Sequence, residues 1–296
     1  MKKYELTNEF ITFLGRKLFR IKAIVGFGNV KAGEFGGYIE KEENLSHDGK
    51  AWVYGNAKVC GDAEVYGNAD VCGDAEVYGN ADVYGNAKVC GNAFVCGDAE
   101  VYENAFVCGN AEVYGNAKVY GNADVCGDAE VYGNADVCGD AEVYGNAEVY
   151  GNAKVYGNAD VCGDAEVYGD AKVCGNAEVY GNAKVYGNAD VCGNAFVCGD
   201  AKVYGNAKVY GNAEVCGNAK VCGNADYATV RGFGSYYRST TFFRTKEKEV
   251  AVKCGCFLGT LPEFREKVKE THGESKTAKE YLMLADLMEY KFSEEE

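Results

Sequence analysis

The chain has 296 residues, with 30 basic and 45 acidic side chains and a formal net charge of −15. That balance argues against nucleic acid and against an anionic membrane surface as main partners, since both need a clustered positive field. Forty glycines, 23 tyrosines and 15 cysteines against a single proline depart from ordinary globular composition and direct attention to internal repeats.

Residues 1–50 read as an N-terminal β cap. Met1-Lys2-Lys3 is basic, but the stretch from Phe10 to Val25 is interrupted by Arg16, Lys17, Arg20 and Lys22 and has no small-residue cleavage site, so neither a signal peptide nor a membrane span is expected. The expected compartment is the cytoplasm, where thiols stay reduced and a disulfide framework is not expected. Phe19, Ile21 and Ala23 alternate with Arg20 and Lys22 as in a half-buried strand. Gly26-Phe27-Gly28 and Gly36-Gly37 mark turns.

Residues 51–225 repeat one hexapeptide, Gly-Asn/Asp-Ala-x-Val-Tyr/Cys. Valine stands at 53 and at every sixth position to 221, with no insertion or deletion. A period of six drifts around a helix of 3.6 residues per turn, so the repeat is not helical. Within Ala-x-Val the x residue is usually Lys, Glu or Asp and must face water, which places Ala and Val on the buried side of a short strand. Gly-Asn or Gly-Asp then forms the corner. Glu103 replaces one glycine. The expectation drawn from it is that Asn/Asp carries the left-handed dihedral and the Gly position merely prefers a small residue.

Residues 226–296 form a different segment. Thr241–Thr245 and Glu249–Cys254 read as a hairpin around Lys246-Glu247-Lys248. Thr260-Leu261-Pro262-Glu263 is a capping box with an early proline, and the helix it starts ends at His272-Gly273. A second helix over 276–291 places Tyr281, Leu284, Ala285 and Met288 on one face.

The repeat resembles the hexapeptide-repeat left-handed β-helix family, part of the trimeric LpxA-like superfamily. That resemblance implies an all-β fold: a single-stranded left-handed parallel β-helix with three hexapeptides per triangular coil. Residues 51–225 would then make about ten coils and, at the usual strand spacing, a rod roughly 45 Å long. Handedness comes from the resemblance alone. The stretch from Phe27 to Glu40, with Asn44-Leu45-Ser46 and Trp52-Val53-Tyr54-Gly55-Asn56-Ala57, looks like bacterial YdcK-type proteins over residues 1–225. The segment from Cys254-Gly255-Cys256-Phe257 to Thr271-His272-Gly273 resembles the tails of uncharacterised bacterial and prophage proteins. Neither resemblance supplies a substrate.

Members of the wider family are often acyltransferases with a catalytic histidine. Here the repeat holds no histidine and no extruded loop. His47 is the single candidate base, beside the first coil, and a polar turn role is the competing reading; His272 reads as a helix-terminal residue. No cofactor is expected. Cys254 and Cys256 offer two thiolates where a zinc site needs about four ligands.

Outward positions sort by eighteen. One side carries Tyr114, Tyr132, Tyr150, Tyr168, Tyr186 and Tyr204 in succession, expected to stack. Beside them stand Glu112, Glu130, Glu148 and Glu166, then Lys184, Lys202 and Lys220, an acidic block and a basic block suited to antiparallel self-association. Another side aligns Cys72, Cys90, Cys108 and Cys126, expected as free thiols with oxidation or soft-metal binding as the alternative. Phe94, Phe106 and Phe196 are outward aromatics, each followed two residues on by Cys. These features support a non-enzymatic scaffold that binds a protein partner or itself. A divergent acyltransferase-like enzyme and a thiol-rich metal or redox surface stand as alternatives. Tyr/Cys, Asn/Asp and Lys/Glu each interconvert by one base change, so drift within a duplicated array competes with every ladder reading.

Overall fold

The computed structural model describes residues 2–234, 238–245 and 247–293. The chain divides into two compact units, Met1–Asn158 and Ala159–Glu296. Each contains a parallel β-solenoid whose strands pair with those eighteen residues on, about ten coils in all. Among the described residues no helix is long and apolar enough to cross a membrane.

The first unit opens with an antiparallel hairpin, Tyr4–Phe13 with Arg16–Ala23, and Phe35–Ile39 pairs antiparallel to its second strand. Leu18, Ile21 and Ala23 are buried while Phe19 is half-buried. The expected alternation is out of phase at Phe19 because the register with Phe35–Ile39 shifts between Arg20 and Lys22. On its other edge Phe35–Ile39 runs parallel to Lys58–Val59, so the cap passes into the solenoid without a free strand edge between them. Ile39 pairs with Val59 and Leu45 bridges to Val65. These two residues therefore occupy core positions one rung before the first regular valines. Each lies twenty residues before its partner valine instead of eighteen, and the two extra residues fall between Leu45 and Val53, in the loop that carries Ser46-His47-Asp48-Gly49.

Three faces start from Trp52–Val53, Lys58–Val59 and Glu64–Val65, and each strand is in register with the next rung: Trp52↔Asp70, Lys58↔Glu76, Glu64↔Asp82. Each hexapeptide donates three backbone bonds to its neighbour, such as Glu112 N to Ala129 O at 3.0 Å, Tyr114 N to Val131 O at 3.0 Å and Asn116 N to Gly133 O at 2.7 Å. The alanines from Ala51 to Ala219 and the valines from Val53 to Val221 are fully buried, as alternation requires, while Ala225 is exposed in a turn beyond the last rung. Each Val contributes about 1.5–2 kcal/mol on transfer grounds, so the solenoid rests on repetition of one thin layer.

The corner overturns the glycine expectation. Glycine itself carries the positive φ, +73° at Gly109 and +74° at Gly115, and Glu103 adopts +61° in the same role. Among the described residues the only other non-glycine positive φ values are at Leu14 and Lys248, so no Asn or Asp of the repeat takes one. Space reinforces conformation: a Cβ on Gly109 would lie 2.8 Å from the Gly127 carbonyl oxygen. Glu103 is thus a strained exception, and it misled the reading because one tolerated side chain suggested general tolerance.

The second unit starts its rungs at Asp160–Gly163, Glu166–Val167 and Lys172–Gly175, again in register eighteen on: Asp160↔Glu178, Glu166↔Lys184, Lys172↔Asp190. It ends at Lys220–Val221 and continues into a four-stranded antiparallel sheet of Tyr227–Phe233, Arg238–Arg244, Val250–Cys254 and Phe257–Thr260. The expected hairpin is present, with Phe242↔Val252 and Phe243↔Ala251 paired; Lys246 of its turn lies outside the described residues. Thr245 bridges antiparallel to Ala219, and Glu214 N donates to Thr241 Oγ1 at 3.0 Å, so this sheet covers the last rung. Helices Leu261–His272 and Lys276–Phe292 pack on it. Thr260 and Glu263 cap the first, and Gly273 at φ +57° ends it. Phe242, Val252, Phe264, Val268, Tyr281, Leu284, Ala285 and Met288 form their common core.

Candidate interaction surface

In a two-residue rung strand the x residue and the Tyr/Cys residue both point outward, so each face carries two parallel columns. On the Lys58 face of the first unit the x column runs Lys58, Glu76, Phe94, Glu112, Glu130, Glu148. Lys58 pairs with Glu76 at 2.8 Å. Beside it Tyr114, Tyr132 and Tyr150 stack with ring centroids 4.9 and 4.8 Å apart and planes within 2°. The two columns are cross-linked: Tyr114 Oη donates to Glu130 Oε2 at 3.0 Å and Tyr132 Oη to Glu148 Oε2 at 3.1 Å. Burial, then the carboxylate partner, pushes both phenols above their ordinary range. Neighbouring carboxylates at this spacing repel by roughly 1 kcal/mol in water, and the donated hydrogen bonds offset that.

The Glu166 face of the second unit has the opposite sign. Glu166 pairs with Lys184 at 2.5 Å, and Lys202 and Lys220 follow in register. Tyr168, Tyr186 and Tyr204 stack at 4.8 and 5.1 Å. The expected tyrosine and charge columns are therefore present within each unit.

A further ladder on the Glu64 face escaped the sequence reading. Tyr66, Tyr84, Tyr102 and Tyr120 stack at 4.8–4.9 Å. Tyr84 donates to Glu100 at 3.0 Å, and Glu100 pairs with Lys118 at 2.7 Å. Sorting this face by eighteen, as was done for the other two, finds it directly. The corners hold a second missed array. Asn68 donates to Asn86, Asn86 to Asn104, Asn104 to Asn122 and Asn122 to Asp140, each amide nitrogen to the next oxygen at 2.7–3.0 Å.

The cysteines correct an expectation. Three cross-rung disulfides, Cys72–Cys90, Cys174–Cys192 and Cys198–Cys216, join residues eighteen apart with Cα atoms 4.6 Å apart. A parallel ladder places every such pair inside the distance a disulfide spans, whereas the free-thiol expectation rested on compartment alone. Cys108 and Cys126, the rest of the aligned column, are thiols with sulfurs 2.8 Å apart. Phe94, Phe106 and Phe196 are half-buried, on the same outer faces as Cys96, Cys108 and Cys198. In the second unit a groove of about 510 Å³ runs over the Cys198–Cys216 bond, between Tyr180, Phe196, Lys253 and Leu258.

Cys254 Sγ accepts from Thr240 Oγ1 at 3.2 Å and Cys256 is exposed. Among the described residues no three His, Cys, Asp or Glu side chains are grouped to hold a metal ion. The His47 ring packs against Tyr4 with centroids 4.3 Å apart and planes tilted by 34°; its Nδ1 lies 3.4 Å from the Lys3 amide and its Nε2 3.6 Å from Glu42. It belongs to the cap core, with Tyr4, Phe27 and the fully buried Trp52. Lys3 lies in the same core, bonded to Ala51 O at 2.9 Å, and burial pushes its amine down to about 8. His272 lies at the end of its helix, 5.9 Å from the Tyr281 ring. No protein-family model matches the chain, and a search of curated proteins finds no match.

Proposed function

We propose that the chain is a non-enzymatic β-solenoid scaffold, and that one occupant of its outward ladders is a second copy of itself. The observation that carries the reading is the pair of tyrosine columns of opposite charge. Glu112, Glu130 and Glu148 flank the stack in the first unit, and Lys184, Lys202 and Lys220 flank the stack in the second. Rigid, repeated rows of like sign suit a complementary row of the same period. Aromatic rings beside them add contact area at small entropic loss. The finer identity, a cytoplasmic bacterial YdcK-type left-handed helix, is our reading of the cap motif and repeat. The acyltransferase-like alternative would have to use His47, whose ring is held between Tyr4, the Lys3 amide and Glu42.

Sedimentation velocity on the full chain tests self-association. The parent is expected to dimerise, and the Lys184→Glu, Lys202→Glu, Lys220→Glu triple variant to bind itself at least about tenfold more weakly. A monomeric parent, or an unchanged dissociation constant in the triple variant, sinks the self-association reading.

A further inference from the structure

The Trp52 face of the first unit carries the longest run of cysteines in register. Cys72, Cys90, Cys108 and Cys126 follow the paired strands Asp70–Val71, Lys88–Val89, Phe106–Val107 and Asp124–Val125. Their amides continue the ladder: Cys72 N to Val89 O at 2.8 Å, Cys90 N to Val107 O at 2.9 Å, Cys108 N to Val125 O at 2.9 Å. Every neighbouring pair therefore shares the backbone relation that brings the Cα atoms of Cys72 and Cys90 to 4.6 Å. The column holds one disulfide, Cys72–Cys90, and one thiol pair, Cys108 and Cys126, and all four residues are partly exposed. Tyr54 and Tyr144 bound it on the rungs before and after.

Nothing in the ladder distinguishes Cys72 from Cys108 as a partner for Cys90. Thiol–disulfide exchange needs a thiol within reach of a disulfide sulfur, approaching along the sulfur–sulfur axis. A column of sulfurs repeated along one line supplies that approach at each step. The other two disulfides lack it. In the second unit Cys192 is followed by Tyr210, and Cys198 is preceded by Tyr180, so no third cysteine of their column adjoins those bonds there.

We propose that Cys72, Cys90, Cys108 and Cys126 form one thiol–disulfide exchange site, in which the disulfide migrates from rung to rung and is supplied or removed by a small-molecule disulfide or thiol of the glutathione class. In the internal step the Cys108 thiolate attacks Cys90 Sγ. The Cys90–Cys108 bond forms, the Cys72–Cys90 bond breaks, and Cys72 leaves as a thiolate that takes up the proton Cys108 released. No net oxidation occurs. Cys108 is the attacking sulfur because it is the thiol on the rung next to Cys90, while Cys126 lies one rung farther on. In the loading step a column thiolate attacks oxidised glutathione, forming a mixed disulfide and releasing one glutathione thiolate. A neighbouring column thiol then displaces the second glutathione. Two electrons pass from the protein dithiol to the glutathione disulfide.

The test uses the full chain, isolated with its disulfides and incubated without added oxidant, acid-quenched at intervals and mapped by mass spectrometry of its disulfide-linked peptides. A Cys90–Cys108 linkage is expected to appear as Cys72–Cys90 declines, at constant total thiol. The Cys108→Ser variant is expected to lose that linkage entirely and keep Cys72–Cys90. Cys174–Cys192 and Cys198–Cys216 are expected to stay unchanged in both proteins, reporting that the solenoid is folded. Reduced chain given oxidised glutathione is expected to acquire disulfides in the column ahead of mixed disulfides at Cys222 and Cys256. A Cys72–Cys90 linkage that never exchanges in the folded parent overturns the proposal. Glutathione that oxidises Cys222 and Cys256 but spares the column overturns it as well.

Discussion

Tyr114 donates its hydroxyl to Glu130 one rung away at 3.0 Å, which makes the aromatic stack and the acidic column a single hydrogen-bonded structure. Tyr132 and Glu148 repeat the relation on the same face, and Tyr84 and Glu100 on another. Each phenol donates to the carboxylate of the next rung, which offsets part of the repulsion between neighbouring glutamates.

This coupling sets an alkaline limit. The phenols of Tyr84, Tyr114 and Tyr132 are raised above their ordinary value of 10.0, burial first and the carboxylate second. A raised folded value means that the folded chain holds the proton more tightly than the unfolded one. The stabilisation is complete below pH 10 and is lost as pH rises beyond it. Melting temperatures followed from neutral to strongly alkaline pH should fall more steeply for the parent than for the Tyr84→Phe, Tyr114→Phe, Tyr132→Phe variant. Parallel curves would show that the phenols do not contribute.

Glu103 offers a gain in stability. It holds φ +61° where the other corners use glycine, and a non-glycine residue in that region is strained by about 1–2 kcal/mol. Glu103→Gly should raise the unfolding free energy by about 1 kcal/mol after the greater entropy of glycine in the unfolded chain is subtracted, and move the denaturation midpoint upward. The converse change, Gly109→Ala, should destabilise, since its Cβ would meet the Gly127 carbonyl at 2.8 Å. Urea titration of the two variants decides both signs.

The core should respond locally. Val113 is fully buried between Val95 and Val131. Val113→Ala should lower stability by about 2 kcal/mol through lost transfer energy and a small cavity. Because each rung rests on its neighbours, hydrogen exchange should accelerate at the amides of adjoining rungs and stay unchanged in the helices 261–272 and 276–292. Uniform acceleration across the chain would contradict a rung-by-rung solenoid.

Removing the C-terminal sheet should expose a growing edge. Thr245 bridges to Ala219, and Thr241 Oγ1 accepts from Glu214 N. A chain ending at Ala225 leaves those groups unpaired, and light scattering should report species that keep growing with concentration beyond the dimer expected of the full chain.

Much of this was legible because the period is unbroken. Valine at every sixth position places Val113 in the core, and outward positions sorted by eighteen put Tyr114 over Tyr132. The glycine corner was misread because Glu103 is visible as an exception while its strain is not. The disulfides were misjudged because compartment was weighed above distance, although a spacing of eighteen between Cys72 and Cys90 carries the distance. The two extra residues around His47 could not be read, since Ile39 and Leu45 enter the core before the hexapeptide pattern begins. The phenol–carboxylate bonds cross from one column to the neighbouring column on the next rung, and no periodic sort pairs residues sixteen apart.

The asparagine ladders impose a grammar on how this array can lengthen. The corner amides from Asn68 through Asn122 donate in one direction along the chain, and so do Asn92 to Asn110 and Asn110 to Asp128. Aspartate can receive from the preceding rung but cannot pass a bond onward. Within each unit no corner aspartate follows another eighteen residues earlier, although aspartate is one base change from asparagine. Glutamates stack three deep beside the tyrosines, where hydroxyls donate to Glu130 and Glu148. A duplicated coil spliced in where the corner junction reads Asn-Asn or Asn-Asp keeps the donated bond, whereas an Asp-Asp junction sets two carboxylates together with no donor between them.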